Sequence, residues 1–457
     1  MNTHIEQALY NFRTNGIRYA RTERYYGGKH DLAFATEKFE NTFGSLFREF
    51  ALNLCPAVCD AIRDKLKIEG FSVFGKSDAF TRSENGTAQA AALTDMIWHR
   101  NRMDARAGEV HKEVIKNGDA FVIVWPGPDG KAAIHPNTAS SCTVEYDDED
   151  PGKVIWAAKF WRTRDKFTRL NLFFPDRIER YITSKPHEGG LPDARDFARL
   201  SSPNVSKGAS GISGAFPHGR ATEGASTIQN PKSEIQNPFG VVPVFHFANN
   251  ASIGTFGTSE LDDAIPVQDG MNKSVLDMLV AMEYSSFRQR WVSGIEIERD
   301  KEGKPISPFK VGIDNLWVAG EPHAKFGDFE TTDLEQFLKV KDGFRIDIAS
   351  VTGTPLYYLL PNSRGFASGE AVRKSESRFI AKVRGRQASF GQVWADVMQF
   401  ALRIEGKRDV FLSTRWEDAA RLTEKEMLEN ILLKKEIGLS SNDALREAGY
   451  RENELLQ

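Results

Sequence analysis

Little in this sequence points toward chemistry. Its 457 residues include only three cysteines, Cys55, Cys59 and Cys142, an odd number without a metal-ligand pattern. Cys55 and Cys59 stand four apart on an amphipathic segment, which predicts two buried small apolar side chains in a protein made in a reducing cytoplasm. No HExxH, no GxSxG elbow and no Cys/His ligand set occurs, so no catalytic residue, cofactor or metal is expected. No apolar run approaches the ~18 residues of a membrane helix. The opening MNTHIEQALYNFRTNG has no basic-then-apolar signal, which argues against secretion. A surplus of one charge is also missing: 60 Lys and Arg stand against 63 Asp and Glu. Tight DNA binding needs clustered cations against phosphates, so only weak or sliding contact fits that balance.

The length allows two to four domains. Residues 1–30 read as a polar helix closing on the turn YYGGKH. An amphipathic helix interrupted near Pro56 is expected over 44–70, then a short strand FSVF, then one helix over 87–117 with Leu93, Ile97, Trp98, Val110, Val114 and Ile115 on its stripe. From Ala120 to Tyr181 strand-like runs (AFVIVWP, KAAIHP, SCTVEY, KVIWAAKFW, RLNLFF) alternate with turns such as PGPDG and DDEDPGK. The fold class is therefore α+β, antiparallel sheet flanked by helices. Between Ser201 and Pro238, 19 of 38 residues are Gly, Ser, Pro or Asn and IQNP occurs twice, the mark of a surface insertion or disordered loop. Beyond it come a helix over 259–290, a β-rich excursion, a helix near 331–349, the loop TGTPLYYLLPNSRGFASGE, a long helix from about Ser368 to Ile404, and two or three short helices after Trp416.

Several patterns admit a bland and a sharp reading. Gly70 to Ser77 fits GxxxxGK[ST], yet its middle is strand-like and no helix follows, so a strand with a turn is favoured over a phosphate-binding loop. His111 reads as a solvated or capping residue. The pairs Asp147-Asp148 and Asp262-Asp263 read as a turn and the first turn of a helix rather than as Mg²⁺ ligands. In the helix 259–290, Ser259 is the expected N-cap with Asp262 at the N3 position, and Pro266 should kink the helix or mark a fresh start. Its apolar face holds Val267, Met271, Val275, Met278, Leu279 and Met282, suited either to a core or to packing between identical subunits. Over 356–386, Arg364, Arg373, Lys374, Arg378, Lys382, Arg384 and Arg386 face only Glu370 and Glu376, a local charge of +5. That is a solvated helix face, or a mobile, readily broken contact with a phosphate backbone.

Taken in order, YYGGKH, LKIEGF, IWHRNRMD, HKEVIKNGDAFVIV, NPFGVVPVFHFANN, GTSELDDAIPVQDGMNKSVLDMLVAMEYSSFRQRWVSG, TGTPLYYL…ASGEAVRKSE and the helices after Trp416 make the chain resemble tailed-bacteriophage portal proteins of the siphophage type, over most of its length. The resemblance implies a non-enzymatic homo-oligomeric ring of about twelve at one capsid vertex of the virion, made in the host bacterial cytoplasm. Such a ring passes double-stranded DNA without sequence preference and docks the terminase large subunit and head-tail adaptor, beside the major capsid and scaffolding proteins. It implies an α+β wing over 1–258 with the insertion 201–238, a stem helix over 259–290 and a small β-containing clip over 291–325. A return segment over 326–368 would end in a tunnel loop at 356–368, and 369–457 would be the long wing helix and helical crown. Asn362, Ser363, Arg364, Arg373 and Lys374 would then face DNA, and Val275, Met278, Leu279 and Met282 would pack stems together. The alternatives are a packaging ATPase built on Gly70–Ser77 and a head or adaptor protein that never touches DNA.

Overall fold

A computed structural model describes residues 3–34, 37, 41, 51–75, 84–200, 233–286, 290–296, 299–304, 322–328, 335–360, 369–408, 410–420 and 424–447. The first helix, α1 (Thr3–Tyr26), buries Ile5, Ala8, Leu9 and Phe12, then Tyr19, Thr22 and Tyr25, the three- and four-residue spacing of one face. In α2 (Cys55–Arg63) Pro56 lies in the first turn and Ala51–Leu54 are not helical, so the proline starts the helix instead of interrupting one. The reason is local: a first-turn N–H has no intrahelical acceptor, so losing it costs little there. All three cysteines are free and buried, Cys55 and Cys59 as their amphipathic setting predicts. The strand β1 (Ile68–Gly75) contains FSVF. The single helix expected over 87–117 is in fact two, α3 (Glu84–Arg100) and α4 (Met103–Asn117). Arg102 between them takes a φ of +55°, and the Asn101 side chain accepts from the Ile134 N–H, so tertiary contact decides the break.

The strand-rich middle forms β2 (Asp119–Pro126), β3 (Ala132–Asn137), β4 (Cys142–Tyr146), β5 (Val154–Arg162), β6 (Thr168–Phe173), β7 (Arg177–Thr183), β8 (Phe197–Arg199), β9 (Glu234–Gln236) and β10 (Val244–Ala248). They pair antiparallel in two sheets, β10-β2-β3 and β4-β5-β6-β7-β8, with β9 joining β7. The end of the expected insertion is thus a strand; residues 201–232 lie outside the described set. The period-2 alternation of β2 stacks the layers. Phe121 and Ile123 meet Val144, Ala157, Phe173 and Ile178 of the larger sheet, while Ala120, Val122 and Val124 face the helical core. The larger sheet's other side, with Trp156, Leu170 and Leu172, packs on α1.

Beyond the sheets, α5 (Ala264–Ser286) begins two residues before Pro266, the fresh start that proline allows. The hairpin β11 (Arg290–Ser293) and β12 (Lys325–Asp328) lies in the excursion, whose residues 305–321 are outside the described set. There follow α6 (Glu335–Thr352), α7 (Gly369–Ile404), β13 (Val410–Trp416), α8 (Glu424–Glu436) and α9 (Ser441–Glu447). β13 pairs with β1 from Ile68↔Trp416 to Gly75↔Val410, a strand that sequence pattern did not suggest. α7 supplies Phe379, Val383, Phe390, Trp394, Val397 and Met398 to the main core. Among the described residues no helix is long and apolar enough to cross a membrane, and no group of three or more His, Cys, Asp or Glu is placed to hold a metal.

His111 is not a solvated residue. It is 1% exposed, and its Nε2 accepts from the Trp394 indole N–H at 2.9 Å. Burial pushes its pKa down to about 4. A depressed folded-state value means that stability is complete above the unfolded value near 6.5 and declines as pH falls toward 4. On the order of 2 kcal/mol should be lost between pH 7.5 and 5 through this one imidazole. Urea unfolding at both pH values checks this, since His111→Gln should lose that part of the pH dependence.

Candidate subunit-packing and DNA-facing surfaces

Three chain segments converge on Asp119, the first residue of β2. Its carboxylate is 0% exposed and accepts from Arg18 Nη2 at 2.6 Å and the Tyr19 hydroxyl at 2.8 Å. It also meets His246 Nε2 at 2.8 Å and the Gly257 N–H at 2.7 Å. With His246 donating to that carboxylate, its Nδ1 takes the Tyr146 hydroxyl at 2.7 Å. Burial and the Asp119 charge raise Tyr146 to about 12, so it stays a neutral donor. Gly257 is required by space: a Cβ there would sit 2.1 Å from the Gly118 carbonyl oxygen.

From Gly257 the chain runs directly into α5. Ser259 is not the helix N-cap, because α5 begins only at Ala264. With Asp262 it closes a turn ahead of the helix: the Ser259 N–H donates to Asp262, and Ser259 Oγ accepts from Leu261 N–H while donating to the Lys116 carbonyl. The α1 turn then grips α5 itself. The Tyr25 hydroxyl donates to Asp269 Oδ1 at 2.8 Å, and His30 Nδ1 accepts from Asn272 at 2.6 Å. Burial lowers the pKa of His30, keeping it the acceptor that Asn272 needs.

Glu260, 8% exposed, ties this start to α7. It takes Lys382 and, at 2.9 Å, Arg386, and Asn249 donates to it at 3.1 Å. Lys382 also donates to the Thr352 carbonyl at the end of α6, 2.8 Å away. One carboxylate therefore joins the base of α5, the end of α6 and the middle of α7. Burial pushes its carboxyl up, but Lys382 and Arg386 together hold it below the usual range. α5 and α6 pack where Gly270 leaves room for Phe344, whose Cε1 lies 3.0 Å from where a Cβ would be. Beside that contact Phe34, Pro266, Val267, Ser350 and Val351 line an open hollow of about 460 Å³.

Of the four residues proposed for stem packing, Val275 is buried within this chain, Met278 and Leu279 are half-buried, and Met282 is 43% exposed. Leu338, Val340, Ile346 and Val351 of α6 are also exposed, at 44–51%. Asn362, Ser363 and Arg364 lie outside the described residues; Arg373 and Lys374 are on the first turns of α7, with side chains also outside them. The local charge of +5 shrinks on folding. Lys382 and Arg386 are held by Glu260 and Arg384 by Asp418 at 3.2 Å, whereas Glu376 takes the Tyr357 hydroxyl. Arg378 stays exposed.

The phosphate-loop pattern meets an obstacle in β1. Gly70 to Gly75 pair with Arg415 to Val410, so these residues form a strand and not an anion-cradling loop; Lys76 and Ser77 lie outside the described residues. The Asp147-Asp148 pair is a turn, with Asp147 accepting from the Glu149 and Asp150 N–H groups. Asp119, Glu260 and Gly257 were not singled out in the sequence, although each sits inside a segment that carries the resemblance.

The family model for phage portal proteins matches nearly the whole chain, this body and its α5–α6 pair alike. Residues 6–447 fit the description "Phage portal protein, SPP1 Gp6-like", and the chain belongs to that family. It is 29% identical over 200 residues to the portal protein of Mycobacterium phage L5, a stretch covering 41% of each chain. It is likewise 29% identical over 195 residues to that of Mycobacterium phage D29, 40% of each. The matched stretch thus spans less than half the length of these relatives. Among solved structures it is similar to a chain in the neck of an empty gene transfer agent particle computed with C6 symmetry. That match has 12% identity, a TM-score of 0.46, and covers 92% of this chain and 95% of the other. A chain in the native neck computed with C12 symmetry gives 11% identity, a TM-score of 0.44, and coverage of 87% and 90%.

Proposed function

We propose that this chain forms a ring of about twelve copies at one capsid vertex of a phage virion, a conduit for double-stranded DNA during packaging and ejection. The observation that carries this reading beyond family membership is the α5–α6 pair. It leaves Met282, Leu338, Val340 and Ile346 43–51% exposed on two helices joined to the body at Glu260. A monomer gains nothing from apolar side chains left in water, whereas neighbouring copies bury them. In this reading 1–258 is wing, 259–290 stem, 291–325 clip, 326–368 the return with its tunnel loop at 356–368, and 369–457 long wing helix and crown. The clip docks the terminase large subunit, which supplies the ATP chemistry, and later the head-tail adaptor. Capsid and scaffolding proteins meet the outer ring, and the protein is made in the host bacterial cytoplasm before assembly.

With Lys382, Arg384 and Arg386 paired within the chain and Arg378 exposed further along α7, Arg364, Arg373 and Lys374 are the cations proposed to touch DNA, with Asn362 and Ser363 beside them. A few weak contacts suit a channel, because a firm grip would stall translocation. Arg364→Glu/Arg373→Glu, with assembly intact by negative-stain microscopy, should lower packaged or retained DNA several-fold; unchanged DNA content would sink the contact. ATP turnover abolished by Lys76→Ala would instead favour a packaging enzyme.

A further inference from the structure

One face of the six-stranded sheet carries cations that no carboxylate pairs with among the described residues of one copy. Register sets Lys159 opposite Asn171 and Asn171 opposite Arg180, with Trp161 opposite Arg169 in the next row. Opposed residues share a face, as do residues two apart on one strand, so Lys159, Arg169, Arg180 and Trp161 stand together. Lys159 is 9% exposed and lies 5.7 Å from the Trp161 ring. Arg169 and Arg180 are half-buried, and the Arg169 Nε has no hydrogen-bond partner among the described residues. Burial lowers the proton affinity of all three, and among the described residues no neighbouring carboxylate raises it. The opposite face shows the contrast: Glu179 takes Arg177 at 2.9 Å, Arg199 at 3.2 Å and the Tyr181 hydroxyl at 2.7 Å. Cations buried without a counter-charge are costly, and an arriving carboxylate offsets that cost.

At the other end of the sheet, the turn joining β4 to β5 carries Asp147, Asp148, Glu149 and Asp150, of which the last three are exposed. Lys159 stands five positions along β5 from Val154, where the strand begins, roughly 16 Å of strand. Turn and cations therefore stay apart within one copy but can meet head to tail between copies, the contact type that closes a ring. We propose that the acidic turn 147–150 of one copy docks on the Lys159–Arg169–Arg180 face of the next. The inference rests on the ring reading above. A second copy is the occupant because the chain itself holds the complementary charge, and guanidinium forks match carboxylates in two-point contacts.

The test uses the full chain in three charge-reversed forms: Arg169→Glu/Arg180→Glu, Asp148→Lys/Asp150→Lys, and all four together. Native mass spectrometry at fixed concentration should show rings for the unaltered chain and at least a tenfold smaller ring fraction for either pair alone. The combined variant, and an equimolar mixture of the two pairs, should assemble again; such recovery also demonstrates that the reversed chains fold. Should the glutamate pair unfold, Arg169→Gln/Arg180→Gln carries that arm with a weaker loss. Undiminished rings in either pair, or no recovery in folded combined chains, overturns the contact while leaving the ring reading in place. Normal rings from the arginine variants that no longer retain a DNA duplex would assign the face to phosphate and likewise overturn it. An unaltered chain that forms no ring overturns the ring reading itself.

Discussion

Replacing Asp119 with alanine is expected to cost about 3–5 kcal/mol of folding stability, the range for stripping one partner from a buried charged cluster. That is a large fraction of the roughly 5–15 kcal/mol that holds a typical domain folded. The carboxylate is wholly buried and serves four donors from α1, β10 and the strand-to-helix connection. Without it the Arg18 guanidinium, 29% exposed, loses its ion pair, and the buried Gly257 N–H loses its acceptor. Asp119→Asn should cost less, because the amide oxygen still accepts while the charge is lost. The two variants compared by urea unfolding separate the hydrogen-bond part from the ionic part. A midpoint unchanged in Asp119→Ala would show that the cluster contributes nothing net.

Glu260→Ala is expected to lose about 3–5 kcal/mol as well, for a similar reason in a different place. Lys382 and Arg386 keep only 21% and 14% side-chain exposure, so both would remain desolvated with no counter-charge. The pair term is measurable by a cycle with Lys382→Met. The double variant should cost less than the sum of the two single losses, by about 0.5–3 kcal/mol. Because Glu260 is held below the ordinary carboxylate range, its contribution is present above pH 4.5 and is lost as pH falls through the folded value. The effect should reach beyond stability, since Lys382 also holds the Thr352 carbonyl that ends α6. Rings of the Glu260→Ala chain, where they form, should show a loosened α5–α6 pair as faster amide exchange over 264–286 and 335–352. Unaltered exchange there would confine the role of Glu260 to folding.

Much of the fold was legible because its causes are local. The apolar spacing of α1, the strand runs between PGPDG and DDEDPGK, and the start of α5 beside Pro266 follow from periodicity and backbone geometry within a few residues. Apart from Pro56, where the cause was local, a distant partner had decided the outcome wherever such reasoning failed. Arg102 breaks a periodic helix because Asn101 is occupied by β3, and His111 is buried because Trp394 and Phe390 of α7 close over it. β13 is a strand because β1, far away in sequence, offers an edge.

The sequence by itself determined the class, an α+β body with long helices, little sign of catalysis and the ordered segments of a phage portal protein. Only the tertiary structure decided what those segments do for one another. The Asp of NGDAFVIV, the His of VVPVFHFANN and the Gly before TSELDD meet at Asp119. Part of the apparent charge of +5 over 356–386 is spent on Glu260 and Asp418, which hold three of its seven cations. Propensity and spacing act over one or two turns of chain, whereas a carboxylate's partner is whichever cation the packing brings within about 3 Å. No count of charges along the sequence contains that distance.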